Sequence, residues 1–246
     1  MQPPRVLLLE DDPAARRFVQ LALDSLSVDL VPCATLAEAR QVLTDSAVRL
    51  VLTDLTLPDG SGLDLLQWLQ GRAQPPGGVC RTVVFSGGID PAVERRLQAL
   101  QVWRVLRKPV SVGVLMACVS EALASLAPQV PPVPSTAVMP QLDPVAEFFG
   151  GNRPLYDAYR TACLAQFTKD LDDGDLAARA GDAQALRRVA HNLKSVLTLL
   201  GHAQAARGAR SAEQAAAREE WSSLLAHWGH LRAQVRALLA ADRPAG

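Results

Sequence analysis

Between residues 6 and 126, short aliphatic runs alternate with longer stretches whose apolar residues recur every three or four positions. The runs are Val6-Leu7-Leu8-Leu9, roughly Val28 to Val31, Leu50-Val51-Leu52-Thr53, Thr82-Val83-Val84-Phe85, and Val102 to Leu106. Runs of this length bounded by turn residues predict the buried strands of a parallel sheet. Between them, Pro13 opens a helix with Phe18, Val19, Leu21, Ala22 and Leu26 at helical spacing, and further helices are expected around Leu36 to Leu43 and Leu63 to Leu69. Asp90-Pro91 reads as the cap and first residue of a helix through Leu100, and Val112 to Leu126 as a last amphipathic one. Strand and helix in strict alternation predict an α/β domain with a five-stranded doubly wound parallel sheet.

From Asn152 onward no alternating pattern appears, and the chain reads as an all-α helix bundle. Leu155 to Ala180 forms one long helix or two, with Gly174 a weak point. Asp182 is a natural cap for a helix that runs to Leu200 and is closed by Gly201. A last pair is expected over His202 to Ala217 and Glu219 to Ala241. Pro128, Pro131, Pro132, Pro134, Pro140 and Pro144 mark the join as a semi-rigid connector that could span about 50 Å at about 3.1 Å per residue. The predicted organisation is a first domain over 1–127, a linker over 128–145 and a helical domain over 146–246.

Composition narrows the partners. The 246 residues carry 25 basic and 25 acidic side chains, and residues 143–246 alone hold 13 Lys+Arg against 12 Asp+Glu, so nothing electrostatic calls for a nucleic acid or an anionic membrane. Cys33, Cys80, Cys118 and Cys163 have no paired short spacing, which fits neither a disulfide framework nor a zinc site and suits a reducing cytoplasm. Val6 to Leu9 is too short for a signal-peptide core.

Chemistry gathers at the strand ends. Glu10 and Asp11 follow the first strand, Asp54 the third, Ser86 the fourth and Lys108 the fifth, all on the edge where open α/β sheets hold their ligands. Close carboxylate pairs repel by about 4 kcal/mol at an effective dielectric near 20. The cluster therefore needs something cationic; the two candidates are Lys108 and a hard divalent ion, and Mg²⁺ suits carboxylates together with phosphate oxygens. This points to phosphoryl transfer onto Asp54, with Lys108 and the Ser86 hydroxyl taking up charge on the transferred oxygens.

The motifs Leu-Leu-Leu-Glu-Asp-Asp-Pro, Asp54-Leu-Thr-Leu-Pro-Asp-Gly-Ser-Gly-Leu, Phe-Ser-Gly-Gly and Lys108-Pro109 resemble those of the receiver domain of two-component response regulators, a flavodoxin-like fold. The resemblance covers about residues 4 to 126. It implies that Asp54 is the phosphoacceptor and that Glu10, Asp11, Asp54 and the backbone carbonyl of Thr56 hold Mg²⁺. It further implies that Ser86 and Lys108 contact the phosphoryl group, that the Lys108–Pro109 bond is cis, and that Asp12 caps the first helix. Three residues before the lysine, where receivers usually carry an aromatic, stands Val105; Trp103, two residues away on the same side of a strand, is either a stand-in for that aromatic or an edge or interface residue.

On the helix from Asp182 to Leu200, an apolar stripe of Leu186, Val189, Ala190, Leu193, Val196, Leu197 and Leu200 leaves Arg187, Arg188, His191, Lys194, Ser195 and Thr198 on the other face. His191 is thereby expected to be exposed, between cations that would attract an anionic phosphoryl group. Ala190-His191-Asn192-Leu193-Lys194-Ser195 with Gly201 resembles the histidine-phosphotransfer (HPt) domain over about residues 147 to 241. The resemblance implies phosphorylation of His191, support from Lys194, and Ser195 in place of the usual glycine. His202, His227 and His230 read as surface or packing residues. Without a P-loop or Gly-rich kinase loop, the chain is expected to be a relay element rather than an enzyme. Its expected partners are a sensor histidine kinase, hybrid or not, and the receiver domains of other response regulators. The competing expectation makes the helical half a phosphorylation-inert docking module, or a DNA-binding output using Arg207, Arg210 and Arg218.

Overall fold

The structure, a computed structural model, describes residues 2–71, 80–124 and 143–242. The expected proline-rich connector falls outside these residues apart from its last three positions. Two compact units emerge, Met1–Gly151 and Asn152–Gly246.

In the first unit, β1 (Arg5–Leu9), α1 (Pro13–Leu23), β2 (Asp29–Cys33), α2 (Leu36–Asp45) and β3 (Leu50–Thr53) follow in order. A two-residue hairpin, β4 (Thr56–Leu57) and β5 (Gly60–Ser61), precedes α3 (Gly62–Gln70). Then come β6 (Arg81–Ser86), α4 (Pro91–Ala99), β7 (Arg104–Arg107) and α5 (Val112–Leu123). The five-stranded sheet has the order β2-β1-β3-β6-β7, and every neighbouring pair is parallel. This is the flavodoxin-like arrangement, in which the site lies where the strand order reverses. Val6, Leu7, Leu8 and Leu9 are wholly buried, as are Leu50, Val51 and Leu52. Each such side chain contributes about 1.5–3 kcal/mol by leaving water, so the central strands are held where their C-terminal ends meet. Helix starts are capped as the sequence suggests: Asp12 accepts from the Ala14 amide, and Asp90 from those of Ala92 and Val93.

A short helix, α6 (Pro144–Phe149), also belongs to this unit, although residues 146–149 were expected to open the helical domain. Its Val145, Phe148 and Phe149 are buried, and the Phe149 ring stands edge-on to Phe18 of α1 at 5.8 Å. Gly150 and Gly151, with φ of +59° and +79°, then end it.

The second unit is four helices: α7 (Arg153–Ala180), α8 (Ala183–Leu199), α9 (Ala203–Ala217) and α10 (Trp221–Ala241). Helix α7 runs unbroken through Gly174. A Cβ at that position would stand 2.2 Å from the Trp228 ring of α10, so the glycine is a packing notch rather than a break. Trp228 Nε1 donates to Asp175 Oδ1 at 2.9 Å beside it. All four cysteines are free thiols, and burial pushes those of Cys33, Cys80 and Cys118 up to about 11. Among the described residues no helix is long and apolar enough to cross a membrane.

Candidate functional site

The parallel strands deliver the expected residues to one edge of the sheet. Lys108, just past β7, donates from Nζ to Glu10 Oε2 at 2.5 Å and to Asp54 Oδ2 at 2.6 Å. The three side chains are 5%, 1% and 2% exposed, so the contacts are made out of water. Asp54 Oδ1 accepts from the backbone amides of Leu55, at 2.5 Å, and Thr56, at 3.3 Å. The Lys108 amide donates to the Ser86 carbonyl at 3.0 Å, which continues the β6–β7 ladder and sets the lysine beside the end of β6. The Lys108–Pro109 peptide bond is cis.

One ammonium does not neutralise this pocket. Burial, the Asp54 charge and the Asp12 charge push Glu10 up to about 8 against the pull of Lys108. Burial and Asp54 also raise the half-buried Asp11. For Lys108, burial works downward, but Asp54 and Glu10 override it and hold the ammonium well above its ordinary range. Asp12 is occupied as the α1 cap, at 2.9 Å from the Ala14 amide. The Ser86 hydroxyl is fully buried and, among the described residues, has no hydrogen-bond partner. Among the described residues no three His, Cys, Asp or Glu side chains are gathered closely enough to form a metal cage. That is no obstacle to Mg²⁺, which binds through one or two carboxylates plus phosphate and water oxygens. An all-oxygen donor set whose carboxyls are raised by burial and mutual repulsion, beside a hydroxyl with no partner among the described residues, fits such an ion with a phosphoryl group.

Val105 is half-buried against the apolar cluster of Leu55, Leu63, Leu66, Val84 and Leu97. Trp103 precedes β7 and so lies a strand's length from Lys108, with the guanidiniums of Arg104 and Arg81 at 4.5 and 5.2 Å from its ring. It is an edge residue at the far end of the strand and does not replace an aromatic near the site.

In the helical unit the expectation for His191 fails: the residue is 6% exposed, and Ser195 is buried as well. Helix α8 packs against both α7 and α9, so its buried arc is wider than one apolar stripe. His191 Nδ1 lies 2.6 Å from Glu213 Oε1, and Lys194 Nζ lies 2.5 Å from Glu213 Oε2. Burial raises Glu213, but hydrogen bonds and charge from His191 and Lys194 prevail and hold it at about 2. An ionised carboxylate only accepts, so Nδ1 carries the hydrogen. In the neutral ring Nε2 is then the nitrogen without a hydrogen; it is buried and, among the described residues, has no hydrogen-bond partner. Sequence reasoning missed Glu213, though it is the single acid between Ala203 and Arg218, and folding the helix pair about Gly201 brings it opposite His191. Arg187 remains exposed and Arg188 half-buried, as a polar face requires.

Comparison with known proteins places the first unit. The response regulator receiver domain family matches residues 6–120. Response regulator protein PilR of Pseudomonas aeruginosa is 34% identical over 136 residues, covering 54% of this chain and 29% of that protein. Transcriptional regulatory protein GlrR of Escherichia coli is 32% identical over 127 residues, covering 52% and 28%. The chain thus spans less than a third of the length of these relatives. A response regulator receiver protein from Pseudomonas putida, in a crystal structure, is 30% identical with a TM-score of 0.45, covering 49% of this chain and 98% of that one. The expected absence of a nucleic-acid partner gains no support from relatives of which one is named a transcriptional regulator. No family match extends the HPt resemblance to a finding. With its sheet order, its acidic strand ends and this match together, residues 6–120 are a response regulator receiver domain.

Proposed function

We propose that the first unit accepts a phosphoryl group on Asp54 from the phosphohistidine of a sensor kinase, with Mg²⁺ as cofactor. The observation that carries this reading is the buried Lys108 ammonium shared by Asp54 and Glu10, next to the unpartnered Ser86 hydroxyl. An Asp54 carboxylate oxygen attacks phosphorus, and the donor's P–N bond breaks with its electron pair returning to the imidazole; an acyl phosphate results. Glu10, Asp11, Asp54 and the Thr56 carbonyl would hold Mg²⁺, which offsets charge between the carboxylates and the incoming phosphoryl oxygens. Lys108 exchanges part of its contact with the carboxylates for one with phosphoryl oxygen, and the Ser86 hydroxyl donates to another. Incubating the chain with a small acyl-phosphate donor tests this. Wild type should gain one alkali-labile phosphate only when Mg²⁺ is present, and Asp54→Asn none; Mg²⁺-independent labelling of the variant's receiver contradicts the reading.

A second reading extends the relay to His191, as the HPt resemblance implies, with Lys194 beside the phosphoryl group and other receivers as partners. What favours it is the ring itself: Glu213 fixes the hydrogen on Nδ1 and leaves Nε2 unpartnered. What it demands is an opening of the bundle over that nitrogen. Mass spectrometry of the phosphorylated chain under non-acidic conditions decides it. Phosphate on His191 supports the relay, and its absence when a phosphorylated receiver is supplied leaves the helical unit a docking or output module.

A further inference from the structure

The hairpin that follows Asp54 is fastened on two sides. Toward the site, the Thr56 amide donates to Asp54 Oδ1 at 3.3 Å and the Gly62 amide to the Leu55 carbonyl at 3.1 Å. Packing there is so close that a Cβ on Gly62 would stand 2.0 Å from the Asp54 carbonyl oxygen. At the tip of the hairpin, Asp59 turns the other way. Its Oδ1 accepts from the Leu36 amide at 3.0 Å and its Oδ2 from the Ala37 amide at 3.2 Å. These are the first two amides of α2, which have no partner inside the helix. The cap supplied locally does not serve them: Thr35 Oγ1 takes the Glu38 amide at 3.2 Å, and Glu38 Oε2 takes the Ala34 amide at 2.7 Å. Beneath the clamp, Leu57 and Leu36 are buried in one apolar cluster, and a Cβ on Gly60 would stand 2.7 Å from Leu36 Cδ1. Hairpin and first turn of α2 are thus one mechanical piece, and that piece carries Thr56 next to Asp54.

We propose that Asp59 is a positioning residue for the phosphoacceptor site: by bridging the hairpin to α2 it fixes the Thr56 backbone beside Asp54 and couples Mg²⁺ binding to order in the first turn of α2. The inference rests on the reading of Asp54 as an Mg²⁺-dependent phosphoacceptor. Coupling between two places is reciprocal, so Asp59 must affect the affinity for Mg²⁺, and Mg²⁺ must affect the amides that Asp59 holds.

The experiment uses the full chain, as wild type, Asp59→Ala and Asp59→Asn. It combines calorimetric Mg²⁺ titration with amide hydrogen exchange in the presence and absence of the ion. Asp59→Ala should bind Mg²⁺ about fivefold or more weakly. Asn should fall between, because its single carbonyl oxygen can serve one of the two amides. In wild type, Mg²⁺ should slow exchange at Leu36 and Ala37, and in Asp59→Ala that response should vanish. A merely loosened helix does not mimic this, since the readout is the difference that the ion makes within one protein. Equal Mg²⁺ affinities in wild type and Asp59→Ala, or wild-type exchange at Leu36 and Ala37 indifferent to the ion, overturn the clamp alone. A wild-type chain that takes up no Mg²⁺ overturns the phosphoacceptor reading and the clamp with it.

Discussion

Ser86 and Glu213 show how a single polar atom separates structural from chemical duty. Among the described residues the buried Ser86 hydroxyl has no hydrogen-bond partner, so no hydrogen bond of its own ties it to the fold. Ser86→Ala should leave the thermal midpoint unchanged or slightly higher, while slowing Asp54 phosphorylation by about tenfold or more through loss of a donor to developing charge. Unchanged labelling kinetics would remove the hydroxyl from the mechanism. Glu213 behaves oppositely. Its carboxyl is held at about 2 in the fold against an ordinary 4.5, so its stabilisation is complete above pH 4.5 and is lost as pH falls from there toward 2. The shift is worth on the order of 3 kcal/mol to the helical unit at neutral pH. Glu213→Gln should therefore flatten the acid limb of the stability profile between pH 4.5 and pH 2, measured by denaturant unfolding at a series of pH values. A variant profile parallel to wild type would show that the carboxylate is not held down.

At the scale of elements, the strand ends were legible and the helix faces were not. Aliphatic runs that stop at Glu10, Asp54, Ser86 and Lys108 place those residues on one sheet edge whatever the side-chain detail, because parallel strands share a direction. The hairpin of β4 and β5 carries no such pattern in its two-residue strands, and the role of Asp59 depends on a contact with α2, more than twenty residues earlier. For α8 a single apolar stripe predicts His191 and Ser195 on the outer face, but a helix flanked by α7 and α9 buries more than one stripe. Gly174 was legible only as a weak helix former, whereas its purpose is set by Trp228 across the interface. Gly174→Val should cost the helical unit about 1–3 kcal/mol by overpacking, despite the higher helix propensity of valine. A thermal midpoint equal to or above that of wild type would contradict the notch.

For the whole molecule, two chemically distinct places stand on one chain: a carboxylate pocket completed by Lys108, and an imidazole fixed by Glu213 inside four helices. The first gathers the buried Glu10 and Asp54 carboxyls on one ammonium, with Asp11 repelled by Asp54 beside them. The second holds its ring through Nδ1 on Glu213 and keeps Nε2 buried. The account therefore makes Asp54 the point of entry for phosphate, and it predicts that His191→Gln leaves entry untouched. The most direct measurement is phosphate incorporation from a phosphorylated histidine kinase into wild type, Asp54→Asn and His191→Gln, in the presence and absence of Mg²⁺, with the labelled residue mapped. The account predicts Mg²⁺-dependent label on Asp54 in wild type and in His191→Gln, and no label in Asp54→Asn. Label entering Asp54→Asn at the wild-type rate would contradict it.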